Sequence, residues 1–144
     1  SLASRRTGAL IVIERLEGLR EYIENGVRLD AELSYDLLIN IFTPETPLHD
    51  GAAILRNGRL AAAACFLPLS GNPELAKELG SRHRAALGIS EETDAVAVIV
   101  SEENGEISIA QAGVIESRLD AKALRSRLYQ LLVTEQSPAT VTKS

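Results

Sequence analysis

The run Pro47-Leu48-His49-Asp50-Gly51-Ala52-Ala53-Ile54 and, further along, Gly80-Ser81-Arg82-His83-Arg84-Ala85 both set costly polar groups beside small or apolar ones. The first puts an imidazole and a carboxylate at the mouth of an apolar run. The second puts two guanidiniums and an imidazole at a predicted helix start, with Ser81 in the position of the cap. A helix start offers unpaired backbone N–H groups and a positive dipole end, so this cluster suits phosphate. A carboxylate such as Asp50 can hold a divalent ion or accept a proton from a hydroxyl, and an imidazole is a common metal ligand. Both of the chain's histidines, His49 and His83, fall inside these segments, and together the two read as a site for a polyphosphate and its metal.

Each residue also has a plainer explanation. Either histidine alone is accounted for as a hydrogen-bonded structural imidazole, and Asp50-Gly51 as a tight turn. Arg82 and Arg84 point to different sides of a regular helix, so one of them is free to pair with a carboxylate such as Glu78. Gly51 and Ala52 leave space for a backbone to approach a ligand, and Ala61 to Ala64 repeat that theme on the next predicted strand, as would a tightly covered sheet. Ser101-Glu102-Glu103 puts a second carboxylate at the end of an apolar strand, where open α/β sheets bind ligands; it also reads as a solvated pair before a turn. Phe66 is either a stacking platform for a base or a core residue. Cys65, the one cysteine, reads as core rather than nucleophile and excludes an intrachain disulfide, in keeping with a reducing compartment.

The elements that must position these groups follow from pattern. Gly8 to Glu14 is a short branched apolar run suited to a strand buried on both faces. Leu19 to Ile23 predicts a short helix stopped by Asn25-Gly26, and Ser34 caps a helix through Phe42 that ends before Pro44 and Pro47. Asn57-Gly58 and Asn104-Gly105 separate apolar runs and predict tight turns of antiparallel hairpins. Ser70 to Pro73 is a loop, Glu74 to Leu87 helical, and from about Asp120 an amphipathic helix shows Leu124, Leu128, Leu131 and Leu132 on one face. Interleaved helices and hairpins predict an α/β fold, a single domain with a central mixed β-sheet flanked by helices. No internal repeat, Walker A loop or Gly-x-Gly-x-x-Gly fingerprint is found.

At 144 residues, 45% hydrophobic and 24% charged, the chain fits one soluble domain. No apolar run reaches the ~20 residues of a membrane-spanning helix. A net charge of −5 argues against duplex nucleic-acid binding, so any anion must meet a local basic cluster. Residues 1–7 read as a linker remnant of something longer, 8–136 as the domain, and 137–144 as a polar tail expected to fray.

Taken in order, His49-Asp50-Gly51-Ala52, Gly80-Ser81-Arg82-His83-Arg84-Ala85-Ala86-Leu87-Gly88-Ile89 and Val100-Ser101-Glu102-Glu103-Asn104-Gly105 resemble the catalytic domain of diadenylate cyclases. Leu38 to Pro44 looks like the segment preceding the Asp-Gly-Ala motif in the membrane-anchored bacterial type, and the resemblance runs from Gly8 to Gly113. It implies condensation of two ATP into cyclic di-AMP and two pyrophosphates, with a divalent metal, Mg or Mn. Carried over residue by residue, Asp50 activates the ribose 3′-hydroxyl, Gly51 and Ala52 lie against the nucleotide, and Ser81, Arg82, His83 and Arg84 hold phosphates. His49 joins Asp50 at the metal, Leu67 neighbours the adenine, and Glu103 is a further acidic group. Ser81 stands where relatives usually have threonine, keeping the hydroxyl; Phe66 stands where many have tyrosine, keeping the ring and losing the phenol.

The resemblance also implies a cytoplasmic domain anchored to the bacterial cell membrane through a preceding region. Because the product has two identical linkages, it implies a face-to-face homodimer. A metal-dependent phosphohydrolase and a non-catalytic ATP-sensing module are the competing readings.

Overall fold

Ala9-Leu10-Ile11-Val12-Ile13 form β1 (Ala9–Ile13), the middle strand of a seven-stranded sheet in the computed structural model, which describes residues 7–73 and 80–134. The other strands are β2 (Val27–Glu32), β3 (Ala52–Arg56), β4 (Arg59–Cys65), β5 (Val96–Val100), β6 (Ile107–Gln111) and β7 (Val114–Leu119), in the spatial order β2-β4-β3-β1-β5-β6-β7. Only β1 and β3 run parallel, with Ile11 opposite Ala53; every other pair is antiparallel. The sheet is therefore mixed, as the sequence predicts.

Alternation along the strands sends side chains to two covered faces. Leu10, Val12, Ile54, Ala97 and Ile99 pack with Leu19 and Ile23, from and beside α1 (Arg20–Glu24), and with Ala85, Ala86 and Ile89 of α3 (Ser81–Glu92). Ala9, Ala53, Leu60 and Val100 face Ile41 and Phe42 of α2 (Tyr35–Phe42). Val96, Val98 and Ile109 meet Leu131, in the π-helical turn that continues α4 (Ala121–Tyr129), with Leu124, Leu128 and Leu132 alongside. The Ser34 hydroxyl accepts from Leu37 N at 3.1 Å, so the predicted cap of α2 is real, and the Asp120 carboxylate caps α4 in the same way.

The sequence-based expectations need correction at several places. Ser81 is the first helical residue of α3 rather than its cap: extended Gly80 holds that position, and α3 runs past Leu87 to Glu92. Gly88 lets the helix pass close to the preceding loop, since a Cβ there would collide with the Pro68 carbonyl. Asn57 and Gly58 both have positive φ and make the predicted tight turn, but Asn104-Gly105 does not. Val100 pairs with Ile107 across a longer loop, closed by Gly105 N to Ser101 O at 2.9 Å and Ser101 N to Glu106 O at 2.9 Å. β2 and β7, the two edge strands, were not expected. Glu78 and all of the predicted helix before Gly80 lie outside the described residues, as do the predicted tail and nearly all of the predicted linker. No helix among the described residues is long and apolar enough to cross a membrane.

Candidate active site

The strand directions gather the chemistry at one end of the sheet. Because β1 and β3 run together and β4 and β5 run against them, the starts of β1 and β3 lie beside the ends of β4 and β5. Gly8, the loop carrying His49, Asp50 and Gly51, the Phe66-Leu67 segment after β4, and Ser101-Glu102-Glu103 after β5 thus share one edge. α3 begins over it.

The loop before β3 is internally tied. The Thr46 hydroxyl donates to Ile41 O at 3.0 Å, and His49 Nδ1 lies 2.8 Å from Thr46 O. A hydrogen on Nδ1 satisfies that carbonyl and leaves the Nε2 lone pair free. Gly51 has φ +92°, and a Cβ there would stand 2.8 Å from Cys65 O, so a glycine is needed for the loop to press on β4. The close approach predicted at Gly51 is thus made, within the protein, by strand β4.

A cleft of about 380 Å³ brings together His49, Asp50, Gly51, Phe66, Leu67, Ser81 and Arg82. Asp50 is exposed and makes no hydrogen bond or ion pair with a described residue. Phe66 is 62% exposed, so its ring is a wall of the cleft rather than part of the core. Cys65 is fully buried beneath, and burial pushes its thiol up to about 11, which removes it as a nucleophile, as expected.

A neighbouring cleft of about 320 Å³ shares Ser81, Arg82 and Glu102 with the first and adds His83 and Glu103. Arg82 Nη1 bonds Glu102 Oε1 at 2.9 Å on the shared wall, so the arginine that pairs with a carboxylate is Arg82. Burial lowers the pKa of His83, opposed by Glu106 and Glu103 and assisted by Arg82, so the imidazole presents its neutral form over the neutral range. Two predicted residues stand apart. Ala52 is fully buried in the core, and Arg84 lines neither cleft, its Nε buried with no partner among the described residues.

The larger cleft of about 700 Å³, at the other end of the sheet, contains none of the predicted site residues. Its guanidiniums are largely paired at home, Arg20 with Glu24, Arg56 with Glu14 and Arg59 with Asp30. One residue of the first cleft's frame escaped the sequence reading. Asn25, a helix stop by its sequence pattern, bonds the Phe66 backbone through its side chain.

No three His, Cys, Asp or Glu side chains gather into a metal-binding group among the described residues. His49 and Asp50 line the same cleft, and their imidazole and carboxylate are of the donor types that hold a divalent ion together with phosphate and water oxygens.

The chain is 56% identical over 127 residues to the cyclic di-AMP synthase CdaA of Bacillus subtilis, covering 88% of this chain and 46% of that protein. It is 52% identical over 133 residues to a diadenylate cyclase of Listeria monocytogenes, covering 92% and 49%. It thus spans about half the length of these relatives. The fold superimposes on a crystal structure of a DacA double mutant from Staphylococcus aureus with a TM-score of 0.88 at 48% identity, covering 92% of this chain and 88% of that one. It also matches a Bacillus cereus protein described as a hypothetical membrane spanning protein, with a TM-score of 0.79 at 46% identity over 83% of this chain and 58% of that one. The family model for the DAC domain, DisA bacterial checkpoint controller nucleotide-binding, matches residues 1–115, and with that match over most of its length the chain belongs to the DAC family.

Proposed function

We propose that this chain is a diadenylate cyclase that condenses two ATP into cyclic di-AMP with release of two pyrophosphates. The observation that carries the reading is the convergence, in one cleft, of a carboxylate at Asp50 without a partner among the described residues, an exposed ring at Phe66 and the start of α3 with Ser81 and Arg82. Adenine stacks on Phe66 beside Leu67. The phosphates meet the α3 backbone N–H groups, the Ser81 hydroxyl and Arg82, with His83 and Glu103 acting from the adjoining cleft and Arg84 supporting the first turn of α3 from outside both clefts. Asp50 accepts the proton of the 3′-hydroxyl as its oxygen attacks the α-phosphorus of the second ATP and pyrophosphate leaves in line. This is chiefly a task of positioning and charge neutralisation. A divalent ion, Mg²⁺ or Mn²⁺, held by His49 and Asp50 with phosphate oxygens, supplies further neutralisation when bound.

One cleft holds one nucleotide, so two chains facing each other across a two-fold axis make both linkages. The longer protein is anchored in the bacterial membrane by a region outside this chain, with the domain in the cytoplasm where ATP is made. Incubation with ATP and either metal, followed by mass spectrometry, tests the reaction. Cyclic di-AMP is the expected product. ADP or AMP alone would favour a phosphohydrolase, and bound ATP without turnover a sensing module.

A further inference from the structure

Phe66 lies one residue beyond the end of β4, where the sheet no longer holds the chain: the last pairings are Cys65 with Ala52 on one side and Ala63 with Val27 on the other. Two residues before it, Ala64 has φ +55°, within the stretch where the register between β3 and β4 shifts. A side chain takes over there. Asn25 Nδ2 donates to Phe66 O at 3.1 Å, and Phe66 N donates to Asn25 Oδ1 at 3.1 Å, so one carboxamide satisfies both backbone groups as a neighbouring strand would. Asn25 is itself anchored. It follows α1, whose Ile23 is buried in the core, and it precedes Gly26, where a Cβ would stand 2.5 Å from Cys65 Sγ and 2.6 Å from Ala63 O. The turn after α1 is therefore pressed against the end of β4.

We infer that Asn25 is a positioning residue that fixes Phe66 as the adenine platform of the cleft. The ring is too exposed to be held by packing, so its place depends on the backbone that Asn25 clamps. The inference rests on the reading of Phe66 as the surface that stacks on adenine.

Binding of ATP and of inorganic tripolyphosphate is measured for the unaltered chain, Asn25→Ala, Asn25→Asp, Phe66→Ala and the Asn25→Ala/Phe66→Ala double variant. Stacking of a base on an aromatic ring predicts that Phe66→Ala weakens ATP roughly tenfold. Asn25→Ala is expected to weaken ATP about fivefold and tripolyphosphate less than about twofold, with no further loss in the Phe66→Ala background. Asn25→Asp, which keeps the acceptor and loses the donor, falls between and guards against a failure to fold. Bound 2-aminopurine riboside triphosphate, quenched by stacking, is expected to be brighter on Asn25→Ala. A loss that persists without the ring, that falls equally on tripolyphosphate, or that is absent while Phe66→Ala weakens ATP would overturn the role of Asn25 alone. Normal ATP affinity in Phe66→Ala would overturn the platform itself, and with it the inference.

Discussion

Arg82 Nη1 sits 2.9 Å from Glu102 Oε1 and directly over Gly8, where a Cβ would stand 2.5 Å from that same nitrogen. The carboxylate partner is largely exposed, so the pair adds little to stability. Its effect is to hold a guanidinium on the wall between the two clefts, in the space that a residue without a side chain leaves.

Gly8→Ala is expected to leave the fold intact, because the far end of an arginine swings away at little cost. The guanidinium then leaves its place. ATP and inorganic tripolyphosphate should both weaken, by roughly fivefold for one charge-assisted contact strained but not removed, while adenosine binds as before. Isothermal titration checks all three ligands, and unchanged ATP affinity would remove Arg82 from the phosphate site.

Asp50→Asn is expected to abolish catalysis while leaving the melting temperature and most ATP binding unchanged. Asparagine is near-isosteric, a poor base and a weaker metal ligand, and the exposed Asp50 makes no bond to a described residue whose loss would unsettle the loop. Rate and binding measured on one preparation check this. Near-normal product formation would exclude Asp50 as the activating group.

Arg84→Ala is expected to weaken ATP by ~1.5–3 kcal/mol and adenosine much less. The motive is the place of Arg84 in the first turn of α3, two residues after Arg82, with a buried Nε that has no partner among the described residues. Parallel titrations of the two ligands decide it, and equal losses would make Arg84 a support of α3 alone.

For His83, burial lowers the folded pKa below its ordinary value of 6.5. Between those two values the unfolded chain binds more protons than the folded one, so stability rises with pH through the window and is lost as pH falls below 6.5. His83→Gln removes this titration. Its melting temperature should fall less than that of the unaltered chain on acidification from neutrality, and parallel slopes would show that His83 does not couple protonation to folding.

Much of this was legible in the sequence because the signals were local. Ser34 three residues ahead of the Leu37 N–H that donates to it, Asn57-Gly58 between apolar runs and the branched run of β1 each carry their own geometry. The edge strands were harder. β2 is mostly exposed and broken by a bulge and by Asp30 at φ +48°, and β7 is entered through Ala112-Gly113, a turn with positive φ at both residues but without the usual asparagine. The order of Asp50, Ser81 and Glu102 along the chain was visible, but their meeting at one sheet end depends on β1 running with β3 and against β5. The Asn25–Phe66 clamp joins residues far apart in sequence, and no spacing announces it.

The most direct test of the account measures, by mass spectrometry, the products formed from ATP and divalent metal per chain across a dilution series, with ATP affinity followed over the same range. Cyclic di-AMP is predicted, with a rate per chain that rises with protein concentration and levels off as pairs saturate, while ATP affinity changes much less because each cleft is complete for one nucleotide. ADP or AMP with no dinucleotide at any concentration would contradict the reaction. A rate per chain that stays flat down to concentrations where light scattering finds only monomer would contradict the face-to-face mechanism.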